Sequence, residues 1–204
     1  MNNEIKFLDR RTTHISGEIN AGSNVVVESN VIFEGKITIG NNVRIRANST
    51  IINSVIESES EIKHYSLIKN SIISQNSIIG PYARLRTGTE IGNNTQIGSF
   101  VEIKNSIIGN FCKINHMAFI GDANIEDNVI IGAGTITCNH DGKESQHTII
   151  RSGAYIGSNV NLIAPIEIGN DALIGAGSTI SKEAPENKIT IERSEQMSFE
   201  KSKK

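Results

Sequence analysis

Three stretches of this chain concentrate side chains that could do chemistry: IGPYARLRTG at 79–88, FVEIKNSIIGNFCKINHMAFIGD at 100–122 and IGAGTITCNHDG at 131–142. The second contains one histidine, His116. Histidine is the side chain that exchanges a proton near neutral pH, which suits a general base in group transfer; a purely surface or interface histidine is the plainer alternative. Glu102 lies upstream in the same stretch, placed either to orient or share protons with such a site or to stand as a solvated strand carboxylate. Arg86 and Lys104 offer a guanidinium fork and an ammonium, a sound anion clamp; two exposed basic residues on a turn are the plainer alternative. The third stretch runs into Asn139, His140, Asp141 and Gly142, polar groups at a point where the surrounding pattern stops.

That pattern is an aliphatic residue at every sixth position. Ile73, Ile79, Leu85, Ile91, Ile97 and Ile103 form one register, and Ile150, Ile156, Leu162, Ile168, Ile174 and Ile180 form another. A period of six matches neither an amphipathic helix nor a half-buried strand. It fits short strands wound into a triangular prism with one aliphatic side chain per face pointing inward. The predicted fold class is therefore all-β, a parallel β-helix of hexapeptide repeats. The phase slips by five between Ile103 and Ile108, and a turn at a prism corner can absorb such a slip. We expect an N-terminal tail at 1–14 and the β-helix at 15–182, with a loop at 137–149 thrown out from its wall. An arm and lysine-rich tail follow at 183–204. About nine coils at roughly 4.8 Å each make a prism on the order of 40–45 Å long.

Composition narrows the function classes. Twenty basic residues stand against 22 acidic ones, so no large field favours nucleic acid or a membrane surface. Aromatics are 4% and tryptophan is absent, which suits a narrow prism packed by Ile and Val. Cys112 and Cys138 lack metal or redox spacing and read as buried thiols. The segment MNNEIKFLDRR has no apolar run of signal or membrane length, so the expected location is cytoplasmic. Loops on rigid scaffolds commonly carry binding residues, which directs attention to 137–149.

In order and spacing, GPYARLRTG, FVEIK, H-x-x-x-IGDA and IGAGTITCNHDG resemble the C-terminal domain of the bifunctional N-acetylglucosamine-1-phosphate uridyltransferase/glucosamine-1-phosphate acetyltransferase, over about residues 12–195. The resemblance implies a left-handed β-helix and a homotrimer with acetyl-CoA sites between subunits. It also implies an N-acetyltransferase acting on an amino sugar phosphate, glucosamine-1-phosphate or a close relative, in the pathway to UDP-N-acetylglucosamine and cell-wall precursors. No segment matches the family's nucleotidyltransferase domain, so uridyl transfer is not expected of this chain, and whether a separate uridyltransferase serves as partner stays open.

By the same resemblance His116 is the catalytic base, and Arg86 and Lys104 hold the acceptor's phosphate. Asn139 falls at the acceptor and acetyl-group position, with Asp141 and Gly142 completing its loop. Ser158 and Ala176 line the pantetheine and thioester, and Arg193 reaches the coenzyme's phosphates. No metal is implied. Departures cluster at substrate-binding positions. The family usually has Tyr at Phe119, Asn at Ile130, Tyr at His140 and Lys at Ser145, and Lys143 could compensate for the last. Each missing hydrogen bond to a charged group costs about 1.5–3 kcal/mol, so a different amine acceptor is one alternative. A non-catalytic β-helix serving as scaffold or regulator is another. A zinc-dependent hexapeptide enzyme would need three histidines in suitable positions, and the spacing of His116, His140 and His147 does not match one.

Overall fold

The computed structural model describes residues 5–200; residues 1–4 of the expected tail and 201–204 of its lysine-rich tip lie outside them. The chain winds as a left-handed parallel β-helix. A first face carries eleven parallel strands, beginning with Lys6–Phe7 and ending with Ile189–Thr190. Strands of the second and third faces alternate between them.

Each inward aliphatic lies directly over its predecessor. Ile45, Ile62, Ile79, Ile97, Ile114 and Ile131 pair in register on the first face. Ile68, Leu85, Ile103 and Ile120 do so on the second, and Ile73, Ile91, Ile108, Ile125 and Ile150 on the third. None of these is more than 1% exposed, and each contributes about 1.5–3 kcal/mol by leaving water.

Small residues turn the corners, and their hydroxyls satisfy the buried backbone. Ser77 Oγ donates to the Gly92 carbonyl at 2.8 Å and accepts from the Thr95 amide at 3.1 Å. Thr95 Oγ1 repeats the pattern, donating to the Gly109 carbonyl at 2.8 Å and accepting from the Cys112 amide at 3.1 Å. The phase slips also sit at a corner. Where only five residues separate inward aliphatics, as in Ile68–Ile73 and Ile103–Ile108, Asn70 and Asn105 make the turn with φ of 46° each. Asparagine tolerates that left-handed geometry better than most residues. The six-residue version between Leu85 and Ile91 uses Gly88 at φ 79°.

The prism is longer than nine coils. Lys6–Phe7 pairs with Val26–Val27 and Ile189–Thr190 with Leu173–Ile174, and Ala184 bridges to Ile168. Segments expected as tail and arm thus add rungs at both ends, because backbone pairing and packing of Ile5 and Phe7 against the core need no six-residue period. Between Ile131 and Ile156 one coil lengthens to 25 residues to release the loop.

Ile97 lies in the middle of the stack, so Ile97→Ala should cost about 2–5 kcal/mol. Ile97→Asp should abolish cooperative unfolding in urea, and an unchanged midpoint would contradict the inward assignment. Burial pushes the Cys112 thiol up to about 11, with the negative charge of Asp127 adding to the effect. At pH 8 Cys112 should therefore resist alkylation until denaturant is added, as followed by intact mass; rapid labelling of the native chain would show the prism open there.

Candidate functional site

Four strands build an outward surface on the second face: Arg84–Leu85, Glu102–Lys104, Phe119–Gly121 and Ile136–Cys138. Strand alternation sends Ile103 inward and Glu102 and Lys104 outward. Arg84, Glu102, Phe119 and Ile136 form one column, and Lys104 pairs with Gly121 in another. The Arg86 amide bonds the Ile103 carbonyl at 2.8 Å, which sets Arg86 level with Lys104. Glu102 accepts from Arg86 Nη1 at 2.8 Å and from Arg84 Nη1 at 3.4 Å. Arg86, Lys104, Arg84, Lys69, Leu67 and Thr87 line an open pocket of about 240 Å³.

Asp122 organises the edge of this surface. It takes the corner position that Asn70 and Asn105 take on earlier rungs, at φ 49°. Its carboxylate accepts from Asn105 Nδ2 at 2.6 Å and from Asn139 Nδ2, and it faces Lys104 Nζ at 3.7 Å. Burial raises the Asp122 pKa, but the bonds from Asn105 and Asn139, the Lys104 charge and Ser145 together outweigh it, and the net shift is downward. The Asp122 carbonyl also receives the Thr148 amide at 3.1 Å. Asp122 therefore fastens both ends of the 139–147 loop. Sequence reasoning passed over it; the only signal was a carboxylate in a corner column otherwise filled by asparagine and glycine.

Within the loop, His140 and Ser145 form an antiparallel bridge, and His140 Nδ1 accepts from the Gly142 amide at 3.0 Å. Asp141 Oδ1 accepts the Lys143 and Glu144 amides at 2.8 and 2.9 Å. Those backbone bonds hold its carboxyl below the ordinary range. Both side chains are thus engaged in shaping the loop itself. Asn139 instead turns inward beside Phe119, and Gly121 makes room for both. A methyl group on Gly121 would meet the Asn139 amide at 2.8 Å and the Phe119 ring at 2.9 Å.

His116 belongs to a different edge, the corner between the first and second faces. Amide bonds from Met117 to Ser99, Gly134 to His116, Asn159 to Ala133 and Gly177 to Ser158 place Ser99, His116, Ala133 and Ser158 in one column. Ala176 continues it, and the Arg193 side chain reaches Gly177 at its end. His116, Ser158, Ala176 and Arg193 accordingly line a single track, with His116 and Ala176 three rungs or roughly 14 Å apart. N-terminal to His116 the neighbouring corner position carries Tyr65, Tyr82 and Phe100, exposed and stacked with ring centroids 5.0 Å apart.

The structure therefore gathers the predicted residues into two groups. Arg86, Lys104, Glu102, Phe119 and Asn139 surround one edge of the second face. His116, Ser158, Ala176 and Arg193 follow the other edge, on the order of 15 Å across the strands. Ile130 lies apart from the basic group, on the first face beside Lys113 and Tyr155. Among the described residues no His, Cys, Asp and Glu side chains group to hold a metal ion, and no helix is long and apolar enough to cross a membrane.

Fold and repeat together define an architecture, the hexapeptide-repeat β-helix. Residues 147–182 match the family described as bacterial transferase hexapeptide (six repeats), and residues 15–98 match the GMPPB C-terminal domain. The particular likeness is to bifunctional protein GlmU, as the motifs indicated. The Carboxydothermus hydrogenoformans protein is 54% identical over 119 residues, 58% of this chain and 27% of that one. The Ralstonia pickettii protein is 49% identical over 119 residues, 58% of this chain and 26% of its own. These alignments are shorter than residues 12–195, and the chain matches only about a quarter of the length of these relatives. Among solved structures, Francisella novicida UDP-N-acetylglucosamine acyltransferase superposes with TM-score 0.54 at 21% identity, covering 92% of this chain and 66% of that one. GDP-perosamine N-acetyltransferase from Caulobacter crescentus gives 0.51 at 21% identity, covering 57% and 53%. At that identity the structures attest the fold.

Asp122 is depressed in the folded protein, so its stabilisation of the loop is complete above the unfolded value of about 3.9 and is lost as pH falls through the folded value. Hydrogen exchange across 139–147 should accelerate in that acid window ahead of the surrounding rungs. Asp122→Asn should remove the pH dependence and loosen the loop at pH 7; equal protection in the variant would refute the fastening role.

Proposed function

We propose that this chain is an acetyl-CoA-dependent N-acetyltransferase acting on an amino sugar phosphate, glucosamine-1-phosphate or a close relative. The observation that carries this reading is the single-edge track from His116 through Ser158 and Ala176 to Arg193. An extended thioester-bearing arm laid along that edge would bring its acyl end to His116 and its phosphates to Arg193. The basic pocket around Arg86 and Lys104 supplies the anion clamp that an acceptor's phosphate requires. The local identity to GlmU, near one half over 119 residues, supports the same activity.

Because the two groups lie on opposite edges of one face, the working site assembles between copies. The His116 edge of one chain faces the Arg86–Lys104 surface of another in a homotrimer. His116 takes the proton that the amine loses as its nitrogen bonds to the acetyl carbonyl carbon and the carbon–sulfur bond breaks, the thiolate leaving to be protonated in turn. Glu102 holds the Arg86 fork outward, ready for the phosphate. The protein would act in the cytoplasm, within UDP-N-acetylglucosamine biosynthesis. One specific observation favours a second reading, a non-catalytic scaffold: Phe119 packs beside Asn139 and places no hydroxyl in the acceptor pocket.

Turnover read as released thiol, with a panel of amino sugar phosphates, decides between these readings. His116→Ala should lower kcat/KM by about 10²–10⁴, whereas His64→Ala, which disturbs only a contact to Glu28, should leave it unchanged. Coenzyme binding with no turnover on any amine would establish the scaffold instead.

A further inference from the structure

The basic pocket is longer than a single phosphate needs. Lys69, Arg86 and Lys104 occupy the same position on three successive rungs, set by the pairing of Leu67 and Ile68 with Arg84 and Leu85, and of these with Glu102 and Ile103. At about 4.8 Å per rung the strip extends close to 10 Å. It is bounded on one side by Ile52, level with Lys69, and on the other by Gly121, level with Lys104. Positive charge therefore starts and stops with this pocket instead of continuing along the edge.

The three cations are not equivalent. Arg86 is committed to Glu102 at 2.8 Å, and Lys104 faces Asp122 at 3.7 Å. Lys69 is exposed and has no ion-pair partner among the described residues. With Arg84 included, four cations meet two carboxylates around the pocket. The oxygens of one phosphate are spanned by two adjacent rungs. The third rung, at Lys69, calls for a second anionic group joined to the first. Extension in the other direction is closed, since Gly121 and the Phe119 ring present no side-chain donor there and the Asn139 amide is given to Asp122.

We propose that this strip binds a diphosphate, with Lys69 as the residue that selects it over a monophosphate. Resting on the acetyltransferase reading, the acceptor is then a diphosphate-linked amino sugar, such as a nucleoside-diphosphate sugar, with its first phosphate at Arg86 and Lys104 and its second at Lys69.

The test is calorimetric titration of the full chain with inorganic phosphate and with inorganic pyrophosphate, in metal-free buffer at low salt. Pyrophosphate should bind about tenfold more tightly than phosphate, the effect of one added charge-assisted contact at an exposed site. Lys69→Ala should erase that preference while changing phosphate affinity by less than about twofold, and Lys69→Arg should restore it. Equal affinities in the wild type, or a preference that survives in Lys69→Ala, would overturn the proposal. The coenzyme carries a diphosphate of its own, so the titration is repeated with saturating CoA. Unchanged pyrophosphate binding assigns the strip to the acceptor, whereas displacement by CoA that vanishes in Lys69→Ala assigns it to the coenzyme and overturns the acceptor assignment. Comparing UDP-glucosamine with glucosamine-1-phosphate in the thiol-release assay then reads the substrate class. Binding is measured without acetyl transfer, so absence of turnover defeats the transferase reading alone, and absence of a pyrophosphate preference defeats this proposal alone.

Discussion

Everything in this molecule depends on the vertical stacking of one inward aliphatic side chain per face, rung upon rung. Parallel pairing fixes the rung spacing, and burial of Ile45, Ile62, Ile79, Ile97 and Ile114 fixes the register. A one-residue slip would turn the whole set outward. Once the register is fixed, separation along the chain becomes position on a surface. Residues 17 or 18 apart become neighbours, which is how Arg86 comes to lie beside Lys104 and Glu102 beside Phe119.

This conversion explains what could be read from the sequence and what could not. The prism was legible because Ile, Leu and Val recur with a period that no helix or flat strand shares, and the five-residue steps were legible as slips even before Asn70 and Asn105 were seen to make them. Lys6–Phe7 and Ile189–Thr190 were not legible, since a two-residue strand held by backbone pairing carries no period. Arg86 and Lys104 were singled out by residue type, and their adjacency follows from the coil length. Asp122 was missed because its importance lies in partners, Asn105 and Asn139, each one coil away. The separation of His116 from the basic pair was equally hidden. Both lie on rungs of one face, but at opposite edges, and a motif read along the chain does not distinguish the two edges.

Charge at the candidate site is balanced unevenly by design of the columns. Glu102 draws in two guanidinium groups, keeping them extended over the face instead of dispersed in solvent. Asp122 spends its carboxylate on two amide groups and the Lys104 ammonium, tying the loop, through Asn139 one coil on, to the rung that carries Phe119. The loop is thus referenced to the rigid wall through one buried corner, while its outer half is shaped locally by His140 and Asp141.

A surface whose rows are set by whole turns of backbone cannot be stretched continuously. The span from His116 to Arg193 is counted in rungs, so it can change only by insertion or loss of a full coil, and every such change would leave the rows on either side intact. The corner behaves as a graduated scale, and the size of molecule it can measure is fixed in discrete increments by the number of turns between its two ends.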